Sequence, residues 1–244
     1  DVVWWHRMTE VLKRVWRDRL TYLADPDYTD VPVERLLNRD YARGLAEDLM
    51  RFPDDVDTRP FAAGGVVPET SHVSAADYDG NVVSATITQG ASFGSAFTVP
   101  GWGIMLGHGM CRLDPRPGRS NSVAGGKRPL NNVMTMVVRT PERDIALGMP
   151  GGRRIISVGP QLVARLIDAD STCAQAVLAP RMHVAGAEPL ELQTSAADEL
   201  AQALEAMGHR VTRMDCIGGH AAGAEFVKGD GSVRGGGGGV AVAV

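Results

Sequence analysis

The sequence predicts a layered α+β fold, not a doubly wound parallel sheet. Two observations carry this: strand-like runs come in pairs joined by tight turns, and helical stretches stand among them as neighbours.

Trp4, Trp5, Met8, Val11, Leu12, Val15 and Trp16 recur at helical spacing, which predicts an amphipathic helix over residues 3–22, ended by the Asp25-Pro26-Asp27 turn. The tryptophans on that stripe read as core or interface. A second helix is expected from Asp40, as its N-cap, through Tyr41, Leu45, Leu49 and Met50. Residues 52–68 have no period and are rich in Pro, Gly and Asp, so they read as an exposed linker.

From Thr70 the pattern turns to strands. Residues 72–76 and 82–88 flank Asp79-Gly80-Asn81, a strong hairpin signal. Residues 134–138 and 145–149 form a second pair, turning across 140–144. Helices follow at 153–168, 173–178 and 196–207, the last capped by Ser195 and closed by Gly208. Strands at 211–214, 224–227 and 240–244 complete the order, with a turn at Lys228-Gly229-Asp230-Gly231. The glycine run 235–239 reads as a short low-complexity piece.

An apolar share of 44% and a mean hydropathy of −0.09 suit a soluble chain able to bury a core. A net charge of −4 with interspersed Lys and Arg offers no basic block for nucleic acid. No long apolar run predicts a membrane span. Cys111, Cys173 and Cys216 are widely spaced, so neither a disulfide framework nor a metal site is expected. The opening DVVWWHRM has no signal-peptide pattern, leaves the compartment undetermined, and suggests a fragment of something longer. Heavy use of Ala, Gly, Arg and Val fits a bacterium with GC-rich DNA.

Thr70, in Pro68-Glu69-Thr70-Ser71-His72-Val73-Ser74, invites two readings. It is an ordinary strand former, or it is a nucleophile released by breaking the Glu69–Thr70 bond. A hydroxyl needs a base, and a freed α-amine with a pKa of about 7.7–8.0 supplies one on the same residue. Gly148-Met149-Pro150-Gly151-Gly152 ends a strand and opens a helix, where outward N–H groups suit an oxyanion; a plain strand-to-helix turn is the alternative. Thr88, at the far end of the partner strand, is placed to bond Thr70. His72, His108, His220 and Cys111 are weaker candidates for lining the same site.

These segments resemble a family. TSHVSAADYDGNVVSATIT resembles the start of the small subunit of γ-glutamyltranspeptidases, which are N-terminal-nucleophile hydrolases that cut themselves at this threonine. KRPLNN is similar to the family's K-R-P-L-S-S, GMPGGRRII to its G-S-P-G-G-x-x-I-I, and GIMLG to its S-G-I-L-L-N. DRLTYLADPDYTDVPVERLLNRDYARGLA resembles the end of the large subunit. The resemblance implies an αββα four-layer sandwich, only part of it in this chain. Residues 1–69 would end the large subunit and 70–244 would be the small one. It implies Thr70 as nucleophile, Thr88 as its support, and Gly151 and Gly152 as oxyanion donors. It also implies processed chains forming a heterodimer, a missing N-terminal portion, a small-molecule amide substrate and no cofactor.

The expected glutamyl pocket departs from the family. The family usually has Asn where Gly90 stands, Gln at Gly109, Asp at Arg112 and two serines at Asn131 and Asn132. Arg112 reverses the charge meant to meet a substrate ammonium, and a buried like-charge contact costs roughly 2–5 kcal/mol. The expectation is therefore an acidic acyl group without an α-amine, with a plain surface arginine beside Asp114 as the other reading of Arg112. An unshifted γ-glutamyl enzyme and an inactive or structural homologue remain as alternatives.

Overall fold

The computed structural model describes residues 1–47, 70–237 and, for the backbone, 240–243. The linker at 52–68, Leu49, Met50 and Glu69 lie outside the described residues.

Helix α1 (Val2–Tyr22) takes the expected span and is capped by Asp1, whose carboxylate accepts from Val3 N at 2.9 Å. A one-turn helix α2 (Val33–Leu36) precedes α3 (Arg39–Glu47). The cap of α3 is Asn38, not Asp40: Asn38 Oδ1 accepts from Asp40 N at 2.7 Å and Tyr41 N at 3.2 Å. Asp40 lies inside the first turn instead, where its charge still complements the helix dipole.

Strands β1 (Thr70–Ala76) and β2 (Val82–Thr88) form the first hairpin, in register from Thr70 opposite Thr88 to Ala76 opposite Val82. Strands β3 (Met134–Arg139) and β4 (Arg143–Met149) form the second. Helix α4 (Ile155–Ile167) starts two residues later than expected because Gly152–Arg154 winds as a 3₁₀ turn. Helix α5 (Cys173–Leu178) carries a full capping box from Thr172 and Gln175. Next come β5 (Met182–His183), β6 (Leu190–Gln193) and α6 (Asp198–Ala206). Ala197, not Ser195, occupies the N-cap of α6, with no side-chain cap, and Gly208 closes the helix at φ +96°. Strands β7 (Val211–Met214), β8 (Ala222–Val227), β9 (Val233–Gly237) and β10 (Val240–Ala243) end the described chain.

Five antiparallel strands in the order β10-β9-β8-β4-β3 make the main sheet. Ile145, Leu147 and Met149 face α4 and α5 and are fully buried with Val158, Leu162, Leu166 and Val177. The opposite face carries small residues, Ala146, Gly148 and Ala224, and the β1–β2 hairpin stacks on it. Hairpin, main sheet and helices thus supply three layers of a sandwich. Among the described residues nothing covers the hairpin's outer face, where Val73, Val83 and Ile87 are exposed.

Of the low-complexity glycine run, residues 235–237 are strand. A Cβ on Gly236 would lie 2.5 Å from Ala174 Cα, and one on Gly223 would lie 2.1 Å from Cys173 Sγ. Only glycine lets α5 sit this close to β8 and β9. A smaller sheet, β5-β6-β7 with β6 and β7 parallel, packs with α1 and α6 around Leu12, Met182, Leu190, Leu192 and Leu204. Trp4 and Trp5 lean on this second core, and Trp16 is buried.

Candidate active site

The hairpin ends in a hydroxyl pair. Thr70 is the first residue of β1 and Thr88 the last of β2, and register makes them direct partners. Thr70 Oγ donates to Thr88 Oγ at 2.9 Å, and Gly90 N–H donates to the same oxygen at 2.9 Å. The pair opens on a cleft of about 440 Å³ with Gln89, Ser92 and Phe93 at its rim. Glu69, across the expected scissile bond, lies outside the described residues.

Behind this pair runs a polar seam between hairpin and main sheet, because the inward residues of both strands are His72, Ser74, Ser84 and Thr86. Thr86 Oγ donates to Met134 O at 2.8 Å, so its single proton is committed there and His72 Nδ1 supplies the proton of their 2.8 Å bond. Ser84 Oγ donates to Leu147 O at 2.9 Å. Burial lowers the His72 pKa and so favours the neutral ring. His72 is therefore a strut under the Thr70–Thr88 pair, and it is not among the residues lining the Thr70 cleft. The seam also sets the site's position: His72 lies against Gly148 and Thr86 bonds Met134. The Thr70–Thr88 end is thus the end at which Asn132 enters β3 and Gly151-Gly152 leaves β4.

Gly151 and Gly152 take φ +152° and +56°, backbone that residues with a side chain rarely adopt. The turn is held by Gly219 N–H donating to Pro150 O at 2.9 Å. Neither glycine lines the Thr70 cleft itself. His220 follows in the bracing segment but is exposed.

Beside the Thr70–Thr88 end lies a second cavity, of about 220 Å³, and it is strongly cationic. Arg112 connects the two. A Cβ on Gly90 would stand 3.0 Å from Arg112 Nη1 and 3.4 Å from His108 Cβ, so the absence of a side chain at 90 makes room for the guanidinium. Gly109 opens the 3₁₀ turn (Gly109–Arg112) that ends on this arginine. Arg19, Arg116, Arg119 and Arg153 share the cavity wall with Arg112, and among the described residues Asp114 is its single carboxylate. Asp114 is committed to Arg116, at 2.8 and 2.7 Å. Neither Arg112 nor Arg119 has a side-chain hydrogen bond or ion pair among the described residues. Arg19 is pulled down to about 10 by burial and by the neighbouring Arg153 charge.

The two asparagines part company. Asn132 lines the cationic cavity, whereas Asn131 turns to an apolar groove between α1 and α3. Their segment is pinned to the turn after α1: Asp25 accepts from Arg128 N at 2.7 Å, Nε at 3.0 Å and Nη2 at 2.6 Å. Those bonds hold the Asp25 carboxyl far below the usual range.

Sequence reading missed Arg19, Trp16 and Arg153 as neighbours of the site. Trp16 and Arg19 sit three apart on α1, so a shared helix face was readable, but what that face meets was not. A further group, Glu10, Glu188 and His209, has metal-like spacing. Lys13 Nζ already fills it, 2.6 Å from Glu10 and 2.7 Å from Glu188, which makes it a buried ion network joining α1 to the small sheet. Cys173 is buried with its thiol pushed up to about 12, by burial and then by Glu225, and is inert; Cys111 lines the cationic cavity.

A profile of the gamma-glutamyltranspeptidase family matches residues 2–236. The acylase ACY 1 proenzyme of Pseudomonas sp. (strain SE83) is 37% identical over 215 residues, covering 88% of this chain and 38% of its own length. The glutathione hydrolase proenzyme of Escherichia coli (strain K12) is 32% identical over 229 residues, 86% of this chain and 39% of that protein. The chain thus spans under two fifths of these relatives. Among solved structures, the T380A mutant of Helicobacter pylori gamma-glutamyltranspeptidase aligns with a TM-score of 0.59 and 27% identity, over 68% of this chain and 96% of that one. Cephalosporin acylase from Bacillus halodurans gives 0.79 over 97% of this chain and 43% of that one, and at 24% identity it shows the shared fold.

Proposed function

Because the chain belongs to the gamma-glutamyltranspeptidase family, we propose that it is part of a self-cleaving threonine amidohydrolase or acyltransferase. Residues 1–69 end its large subunit and residues 70–244 form its small one. The Thr70 Oγ–Thr88 Oγ bond, at the open end of the hairpin, is the observation that carries this reading.

In the uncut chain the Thr70 nitrogen is an amide. Attack of Thr70 Oγ on the Glu69 carbonyl carbon breaks the C–N bond, so the amide becomes an ester and the Thr70 nitrogen leaves as a free amine carrying the hydroxyl proton; water then hydrolyses the ester to the Glu69 carboxylate and the Thr70 hydroxyl. The amine takes the hydroxyl proton as Thr70 Oγ attacks a substrate amide. The tetrahedral oxyanion is met by N–H groups of the Gly151–Gly152 turn. The leaving amine departs with the proton and an acyl ester remains on Thr70. Water or an acceptor amine, deprotonated by the same α-amine, completes the turnover. Thr88 orients Thr70 Oγ throughout.

The acyl group is one that bears a carboxylate and no α-amine. Arg112, which meets no carboxylate among the described residues and is given room by Gly90, supports this. An ammonium on the substrate would meet a cluster of guanidinium groups. Denaturing mass spectrometry of the full-length protein tests the nucleophile: two chains are expected, the second starting at Thr70, and one uncut chain in Thr70→Ala. A wild type that stays uncut overturns the reading in favour of an inactive homologue. Equal hydrolysis of γ-glutamyl-p-nitroanilide and of amides lacking the amine would restore the ordinary γ-glutamyl enzyme.

A further inference from the structure

We propose that Arg19 is a specificity-determining positioning residue: it fixes the Asn132 amide so that the NH₂ group of Asn132, together with the Arg112 guanidinium, meets the carboxylate of the acyl group. The inference rests on the acidic-acyl reading and says how that carboxylate is held.

The argument begins with donor chemistry. A guanidinium only donates, so the amide atom it bonds must be the oxygen. Arg19 Nη2 donates to Asn132 Oδ1. The Asn132 NH₂ group is thereby forced to the other side, and it bonds no other described residue. An asparagine whose oxygen is occupied presents only donors, which is what an anion requires. A free asparagine would present either end.

Arg19 is well built for this task. It is only 8% exposed, and it lies near Trp16, whose ring also carries Arg153 at 4.6 Å. Burial in a packed stack holds the fork still, so the amide it selects is held as well. Arg19 Nε and Trp16 Nε1 are buried donors without a partner among the described residues, and both residues line the same cavity. Unpaired buried donors on a wall already crowded with positive charge are stabilised by an anion within it. A neutral acyl chain would leave them unsatisfied.

The test uses the full-length protein with two probes. Glutaryl-p-nitroanilide carries the acyl carboxylate and no amine; pentanoyl-p-nitroanilide carries neither. Arg19→Gln, which can accept as well as donate, frees the Asn132 amide to turn. It is expected to raise KM for the glutaryl probe about tenfold, with kcat and the pentanoyl kinetics nearly unchanged. Arg19→Lys, a donor only, should retain most of the glutaryl preference. Asn132→Asp keeps the partner of Arg19 but removes the donors, and it should lose that preference; it decides the matter if R19Q fails to fold. A wild type that favours glutaryl while R19Q and N132D favour it equally overturns the role of Arg19 alone. A wild type with no preference for glutaryl over pentanoyl and γ-glutamyl probes overturns the acidic-acyl reading itself.

Discussion

Thr88 Oγ receives hydrogen bonds from both Thr70 and Gly90, and on the proposed mechanism this double contact makes it the group that aims Thr70 Oγ. Thr88→Val keeps the shape and removes the acceptor. It is expected to lower kcat by about tenfold or more with KM little changed, whereas Thr88→Ser should retain most activity. Steady-state kinetics on a p-nitroanilide substrate reads both. Gly90 has a different task at the same scale. Its φ of +87° disfavours any side chain, and a Cβ would press on Arg112 Nη1 at 3.0 Å. Gly90→Ala should therefore displace Arg112 and weaken binding of acidic amides, read as a higher KM, while Thr70-dependent cleavage of the precursor continues.

The stacking of hairpin on sheet depends on small residues along β4. A Cβ on Gly148 would lie 2.2 Å from His72 Cε1 and 2.5 Å from Met134 O. The ring is wedged between Thr86 and Ser74, and the second contact is main chain, so neither neighbour yields cheaply. Gly148→Ala is expected to destabilise by about 1–3 kcal/mol and to lower activity further by shifting the Thr70 end of the hairpin. Thermal unfolding beside kinetics separates the two effects. The same reasoning explains why the glycine run in β9 is strand: it is the surface on which α5 rests, and its close approach to Ala174 excludes a side chain.

Two cores, one under the main sheet and one around the small sheet, meet along α1 and β5. His183 sits at that joint, its Nδ1 2.8 Å from Ser157 Oγ and its ring edge-on to Trp16. Burial pulls its pKa from 6.5 to about 4. The folded state thus resists protonation that the unfolded chain accepts. Stability is complete above the unfolded value and is lost as pH falls from 6.5 towards 4, by on the order of 3 kcal/mol at most. Glu188 acts lower: burial raises it, but hydrogen bonds from His209 and Lys13 outweigh this and hold it at about 2. Its contribution is present above the usual carboxylate range and fades as pH falls towards 2. Unfolding by denaturant at pH 7, 5 and 4 should show the first loss, and His183→Gln should flatten it between pH 6.5 and 4. Among the described residues no helix is long and apolar enough to cross a membrane.

The hairpins, most helix spans and the Thr70–Thr88 pairing were legible in the sequence, because strand alternation and turn chemistry act over a few residues. The Asp79-Gly80-Asn81 turn fixes the register that sets Thr70 opposite Thr88. The family was legible too, in motifs that run in order along the chain. The strands at β5, β6 and β9 were not: two are short, and the third is glycine whose meaning lies in the helix it touches. The cationic cavity was legible only in part. Arg112 stood out as a reversed charge, but Arg19 and Asn132 are 113 residues apart and meet only in the fold. The sequence by itself determined the strand that starts at Thr70 and the threonine it faces. Tertiary structure decided which arginines gather around Arg112, since a cavity is made by packing distant segments and a local pattern carries no record of what its exposed face will meet.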